Sequence, residues 1–139
     1  MKNIKKGIFL AGIILILNLI WEYSHAQLYI SDLLVNNYNH TLIRASIIDV
    51  LLVSFIFLII SLKNKGIKWI DKPNPTDYFF IILTGIIIAV IIELNAFLND
   101  KWGYKEIMPT VFGIGVSPLV QLFTTGIISL IIIRNLKSI

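Results

Sequence analysis

The chemistry this chain can do resides in a few ionisable side chains set inside long apolar runs. Glu22 and His25 lie in the first run, Arg44 and Asp49 in the second, and Glu93 in the third. A fourth run holds no charge but supplies Ser117, Gln121, Thr124 and Thr125. Ionisable groups within a membrane-length segment are expensive, so they mark function or a specific internal pairing. Buried carboxyl groups can exchange protons or hydrogen-bond a polar headgroup, which makes Glu22, Asp49 and Glu93 the candidate acid/base residues. His25 can relay a proton, and Arg44 can meet a headgroup or hold Asp49. Three carboxylates against one arginine and one histidine leave this set short of positive charge, so a proton or a bound partner must complete it. The bland alternative is a network that only joins helices, at about 0.6 kcal/mol per hydrogen bond.

Spacing supports a single cluster. Asn18, Glu22, His25 and Tyr29 follow one another at helical intervals and make one stripe. Ser46 with Asp49, then Gly85, Ala89 and Glu93, then Ser117, Gln121 and Thr124 repeat the pattern, the small residues allowing close helix approach. At ~1.5 Å of rise per residue, all these groups fall in one layer, roughly 8–15 Å inside one end of their runs. The other half of each run is almost wholly Ile, Leu, Val and Phe. Trp21, Trp102 and Tyr104 are placed to line an entrance. The Asp100–Pro109 stretch also fits an aromatic anchor at the membrane interface, the favoured reading, or a lid over the polar layer. Glu22-x-x-His25 has the spacing of di-iron bundles, but those need two such motifs and this chain has one, so no metal and no cofactor is assigned. Gly113 and Gly115 lack the spacing of a phosphate loop and are expected to open the fourth helix. No nucleophile–base pair is visible in the spacing, which favours proton-dependent chemistry over hydrolysis.

The elements that carry these residues are set by composition. Of 139 residues, 57% are hydrophobic and only 14% charged, and the mean hydropathy is +0.85. A soluble domain has about 25% charged residues, and so short a chain could not hide this much apolar surface in one core. Water-soluble enzymes, disordered tails and coiled coils are thereby excluded. Apolar runs at about 8–30, 43–62, 78–98 and 111–133 predict an all-α, integral membrane bundle of four transmembrane helices in one domain, residues 1–139. Nine basic residues (Lys2, Lys5, Lys6, Lys63, Lys65, Lys68, Lys72, Arg134 and Lys137) flank one side, against Arg44, Lys101 and Lys105 on the other. By the positive-inside bias, both termini are cytoplasmic and the polar layer lies in the outer half of the bilayer. The net charge of +4 is thus a topology signal and does not point to nucleic acid. Trp21, Glu22 and Tyr23 argue against a cleaved signal ahead of Ser24-His25-Ala26. The absence of cysteine excludes disulfides and thiolate chemistry. Asn64–Thr76 reads as a linker, Thr76 or Asp77 as the cap of the third helix, and Pro118 as a kink in the fourth.

The stretches Asn18-Leu19-Ile20-Trp21-Glu22-Tyr23 and Arg44-Ala45-Ser46-Ile47-Ile48-Asp49-Val50 resemble a family of small, uncharacterised bacterial four-span inner-membrane proteins. Glu93, Trp102-Gly103-Tyr104, Met108-Pro109 and Gly113 through Gln121 extend the likeness over most of the chain. It implies a multi-pass protein of the bacterial inner membrane and no particular activity. Glu93, Trp102, Tyr104 and Pro109 are also similar to positions in membrane-bound carotenoid cyclases and hydratases, which protonate or hydrate a polyene with buried carboxylic acids. The cyclases' Pro-x-Glu-Glu stretch is absent, since Pro109 leads into Thr110-Val111-Phe112.

The function expected from these features is the binding or processing of a lipidic or isoprenoid-like molecule in an acidic intramembrane pocket. Asn18, Trp21, His25, Tyr29, Arg44, Trp102, Tyr104, Ser117 and Gln121 would be its binding residues. Membrane lipids or that ligand are the expected partners, with a homo-oligomer or a larger membrane complex left open. The alternatives are a small proton-coupled transporter and an accessory subunit.

Overall fold

A computed structural model describes residues 2–136; Lys137, counted above among the basic flanks, lies outside them. The helices are α1 (Lys2–His25), a short α2 (Asp32–Asn36), α3 (Tyr38–Lys63), α4 (Pro75–Leu98) and α5 (Val116–Asn135). All but α2 are long and apolar enough to cross a membrane. Their interiors are Ile- and Leu-rich, with apolar residues on every face, as expected where lipid and not water surrounds the bundle. Ile20, Leu51 and Ile91 are each more than half exposed on its outside. In hydrocarbon a helix satisfies all its own backbone polar groups, which outweighs the modest helix propensity of isoleucine.

The termini end of the bundle holds the apolar core. Ile14, Val53, Ile56, Ile60, Ile81 and Leu130 are essentially fully buried there, with Leu10, Phe57 and Ile133 beside them. The stretch between α3 and α4 is a folded cap over this core and not the linker expected. Its 3-10 turn, Ile67–Ile70, inserts Trp69 edge-on against Phe57 with ring centroids 5.5 Å apart. Trp69 Nε1 donates to Ser61 Oγ at 2.8 Å. A tryptophan brings enough apolar area to fold even a basic, glycine-bearing loop onto its neighbours.

The start of α4 also differs from expectation. Asn74 is the N-cap and Pro75 the first helical residue, while Asp77 closes a capping box. Asp77 N donates to Asn74 Oδ1 at 2.9 Å and Asn74 N to Asp77 Oδ2 at 3.0 Å. The other oxygen of this buried carboxylate accepts from Lys63 Nζ at 2.8 Å and Asn64 Nδ2 at 2.7 Å, tying the end of α3 to the start of α4.

At the opposite end α1 and α5 stop short of their apolar runs, while α3 and α4 do not. α1 ends at His25; a 3-10 turn, Ala26–Leu28, leads into β1 (Tyr29–Ile30), which pairs antiparallel with β2 (Gly103–Tyr104). Tyr29 therefore reaches the cluster from a strand, not from the helical stripe. β3 (Thr110–Val111) and β4 (Ile114–Gly115) form a hairpin around Phe112 (φ 51°) and Gly113 (φ 81°). Two consecutive positive φ values mark the tight turn whose twist suits a hairpin. α5 consequently begins only at Val116, so Gly113 and Gly115 lie before it. Pro118 falls in its first turn, where a missing N–H breaks no helical hydrogen bond.

α4 and α5 approach closely at Gly85, where a Cβ would stand 3.1 Å from both Phe123 N and Phe123 Cβ. Gly85→Leu should separate the two helices and lower stability by about 1–3 kcal/mol. Thermal unfolding in detergent reads this directly, and an unchanged midpoint would contradict the close approach.

Candidate functional site

The polar layer assembles around one side chain. Gln121 Nε2 donates to Glu22 Oε1 and to Asp49 Oδ2, each at 2.7 Å, with Asn18 Oδ1 at 3.2 Å as a weaker third acceptor. One primary amide thus joins α1, α3 and α5. Asn18 is fully buried and Gln121 nearly so; Asn18 Nδ2 in turn donates to Ile14 O at 3.0 Å. The helical period explains the choice of residues. Gln121 and Thr125, four apart, both face inward, and Thr125 Oγ1 donates to Gln121 O at 2.9 Å. Thr124, placed on that face by sequence spacing, is only half-buried.

A second group begins where α1 ends. His25 is buried, its Nδ1 lies 2.6 Å from Ser117 Oγ and its Nε2 3.3 Å from Glu22 Oε1. Glu22 and His25 meet because they are one helical turn apart. Ser117 comes from 92 positions further along the chain, carried in by the hairpin that sets the first turn of α5. The hydroxyl–imidazole pair that the spacing could not show is therefore present in the fold.

Beside this pair a groove of about 370 Å³ runs between α1 and α5. Leu17, Ile20 and Ile128 give it apolar walls, and Trp21, His25 and Ser117 line it as well. The Trp21 indole Nε1 is buried and has no hydrogen-bond partner among the described residues. An orphaned buried donor of this kind costs about 1–3 kcal/mol.

Glu93 stands apart from the other two carboxylates, on α4 beneath the loop. Trp102 Nε1 donates to its Oε2 at 3.1 Å, and the Tyr104 hydroxyl donates to the same oxygen. The Trp102–Tyr104 segment is thus tied to α4 through Glu93. Tyr29 links this segment to the histidine, its ring centroid 5.5 Å from Tyr104 and 5.2 Å from His25. Burial, with Glu93 adding to it, raises the Tyr29 phenol above its ordinary pKa. Burial and the hydrogen bond to Glu93 do the same for Tyr104. Both therefore stay protonated at neutral pH. Gly115 is needed beneath this segment, since a Cβ there would meet the Tyr104 ring at 3.0 Å and Met108 Sδ at 3.1 Å.

Arg44 does not join the cluster. It is exposed on α3 and has no ion pair among the described residues, because it lies on a different face of the helix from Ser46 and Asp49. No group of three or more His, Asp or Glu among the described residues is arranged to hold a metal ion. The site's parts are thus a carboxyl pair on an amide, a serine–histidine–glutamate series, and a third carboxyl tied to the loop. The residues that sequence reasoning underrated are Ser117, as a hydroxyl on an imidazole, and Thr125; a count of four along α5 from Gln121 would have found the latter.

The whole is a multi-pass helical protein of the membrane type. No family profile, curated protein or solved structure matches the chain.

Replacing Gln121 with leucine leaves Glu22 and Asp49 without their shared donor. Gln121→Leu should reduce stability by about 1–3 kcal/mol, whereas Arg44→Ala should stay within about 0.5 kcal/mol of wild type. Denaturant titration in detergent micelles compares the two, and equal effects would contradict the bridging role.

Proposed function

We propose that this protein binds a lipidic molecule, of acyl or isoprenoid type, in the groove between α1 and α5. The polar end of that molecule meets Trp21, His25 and Ser117, and its chain lies along Leu17, Ile20 and Ile128. The observation that carries this reading is the conjunction in one groove of apolar walls and a hydrogen-bonded hydroxyl–imidazole pair. A groove between helices on the outside of a membrane bundle is open to the lipid phase, so a lipid can enter sideways. With both termini in the cytoplasm, as the basic flanks predict, the groove belongs to the outer leaflet. Glu22, Asp49 and Glu93 then serve as hydrogen-bonding and proton-exchanging groups behind it. The apolar packing of Ile14, Val53, Ile56 and Ile81 at the termini end counts against a proton-coupled transporter, which needs a polar path through that half.

The test uses a phospholipid with a diazirine in its acyl chain, in phosphatidylcholine–phosphatidylglycerol vesicles. Photo-crosslinks should concentrate on Leu17, Ile20 and Ile128, and Ile128→Trp, which fills the groove, should lower them about tenfold. Crosslinks spread evenly over the outer faces of all four long helices, unchanged by Ile128→Trp, would reduce the groove to ordinary lipid contact.

A further inference from the structure

We infer that Ser117 is a nucleophile, with His25 as its general base and Glu22 as the residue that positions the base, and that the substrate class is a lipid ester. This inference deepens the groove reading and rests on it. The geometry is that of an activated hydroxyl: nucleophile and base lie within hydrogen-bond reach, and a carboxyl group stands beside the base's other nitrogen at ion-pair distance. Glu22 Oε1 accepts from Gln121 Nε2 and lies 3.3 Å from His25 Nε2. The carboxyl oxygen beside Nε2 favours the imidazole proton on that nitrogen, and in that tautomer the Nδ1 lone pair faces the Ser117 hydroxyl 2.6 Å away. The ring nitrogens exchange roles relative to the usual serine hydrolase arrangement, while the logic of nucleophile, base and orienter is kept.

The surroundings favour the charge that develops. An imidazolium at His25 would sit at the C-terminus of the 24-residue α1, the negative end of its dipole. Ser117 lies in the first turn of α5, where backbone N–H groups have no helical acceptor. Val116 N is already taken by Pro109 O at 2.8 Å and Pro118 has no N–H, so the free donor beside the nucleophile is the Ser117 N–H itself. The Trp21 ring lines the same groove, with its unpartnered Nε1–H buried behind the groove surface. The Ser117 N–H is therefore the candidate to receive a carbonyl oxygen as it becomes an oxyanion.

The reaction balances as an acyl transfer. Ser117 Oγ attacks the ester carbonyl carbon as its proton passes to His25 Nδ1. The carbon–oxygen bond to the alcohol breaks, and the departing alkoxide takes that proton from His25. The acyl-serine is then released by a hydroxyl acceptor, water or an alcohol, whose proton goes to His25 and from there back to Ser117 Oγ. Glu93, behind Tyr29 and the loop, takes no part in these steps.

A long-chain alkyl fluorophosphonate applied to the protein in lipid nanodiscs tests the assignment. Peptide mapping should find the adduct on Ser117. Labelling should be lost in Ser117→Ala, slowed about 100-fold in His25→Ala, and retained in Ser54→Ala, whose serine is exposed on α3. Glu22→Asp should keep labelling that Glu22→Gln loses, a rescue that a merely structural carboxylate would not give. Since the chain has no cysteine, Ser117→Cys adds a single thiol with nearly unchanged shape. Methyl methanethiosulfonate should react with it at least tenfold faster than with Ser117→Cys/His25→Gln. No adduct on Ser117, together with equal thiol rates in those two variants, would overturn the nucleophile. If the diazirine lipid still concentrated in the groove under that outcome, the lipid site would stand without catalysis. Loss of both signals would overturn both readings.

Discussion

The amide of Gln121 is the constraint on which the polar half of this protein depends. Water cannot satisfy Glu22 and Asp49 from within the bundle, and a nearly buried amide with two N–H donors can serve one oxygen of each. Had α5 offered leucine here, two carboxyl groups would face each other across an apolar seam. Because the donor is neutral it adds no counter-charge; it fixes positions. Glu22 is held by α5 on one side and by its own helix on the other, and that is why His25, one turn further on, has a defined place to rest.

The two halves of the bundle are stabilised by different means. At the termini end, interlocking Ile, Leu and Val side chains and the Trp69 cap fill space, which is how helices associate when lipid removes the hydrophobic drive between them. At the other end, hydrogen bonds and an aromatic chain from Tyr104 through Tyr29 to His25 do the joining. Each such bond contributes only about 0.6 kcal/mol on average, so the polar end gains little stability for the residues it commits. The groove beside His25 and the unpartnered Trp21 donor add a local cost with no structural return.

The four spans were legible because lipid imposes a length and a composition that no soluble helix shares. The depth of the polar layer was legible for the same reason: Glu22, Asp49 and Gln121 stand at matching distances from one end of their runs. What the sequence obscured was everything that depends on where a helix stops. The apolar run 111–133 hides a hairpin, because Val111, Phe112 and Ile114 are as apolar as the helix that follows, and only Gly113 and Gly115 hint at a turn. Tyr29 matches a helical interval yet arrives on a strand. Trp102 and Tyr104 have the residue types of an interfacial belt, and nothing local reveals that both reach Glu93. Arg44 and Asp49 are five apart, about 140° around a helix, so their separation could have been read from the angle alone.

The same dependence on helix ends governs the serine–histidine pair. His25 is the last residue of α1 and Ser117 the second of α5, so the contact joins the closing turn of one helix to the opening turn of another. Helix ends are where backbone groups lack partners. The C-terminus of α1 tends to stabilise a positive imidazole, and the N-terminus of α5 a negative oxygen. The hairpin before Ser117 and the β1–β2 pairing after His25 set these two ends against each other, with Gly115 kept small so that Tyr104 and Met108 can close over them. Two dipoles of opposite sense meeting at one hydroxyl form an arrangement that favours charge separation. Mere joining of helices would need neither the histidine nor the termini, whereas activation of a hydroxyl uses both.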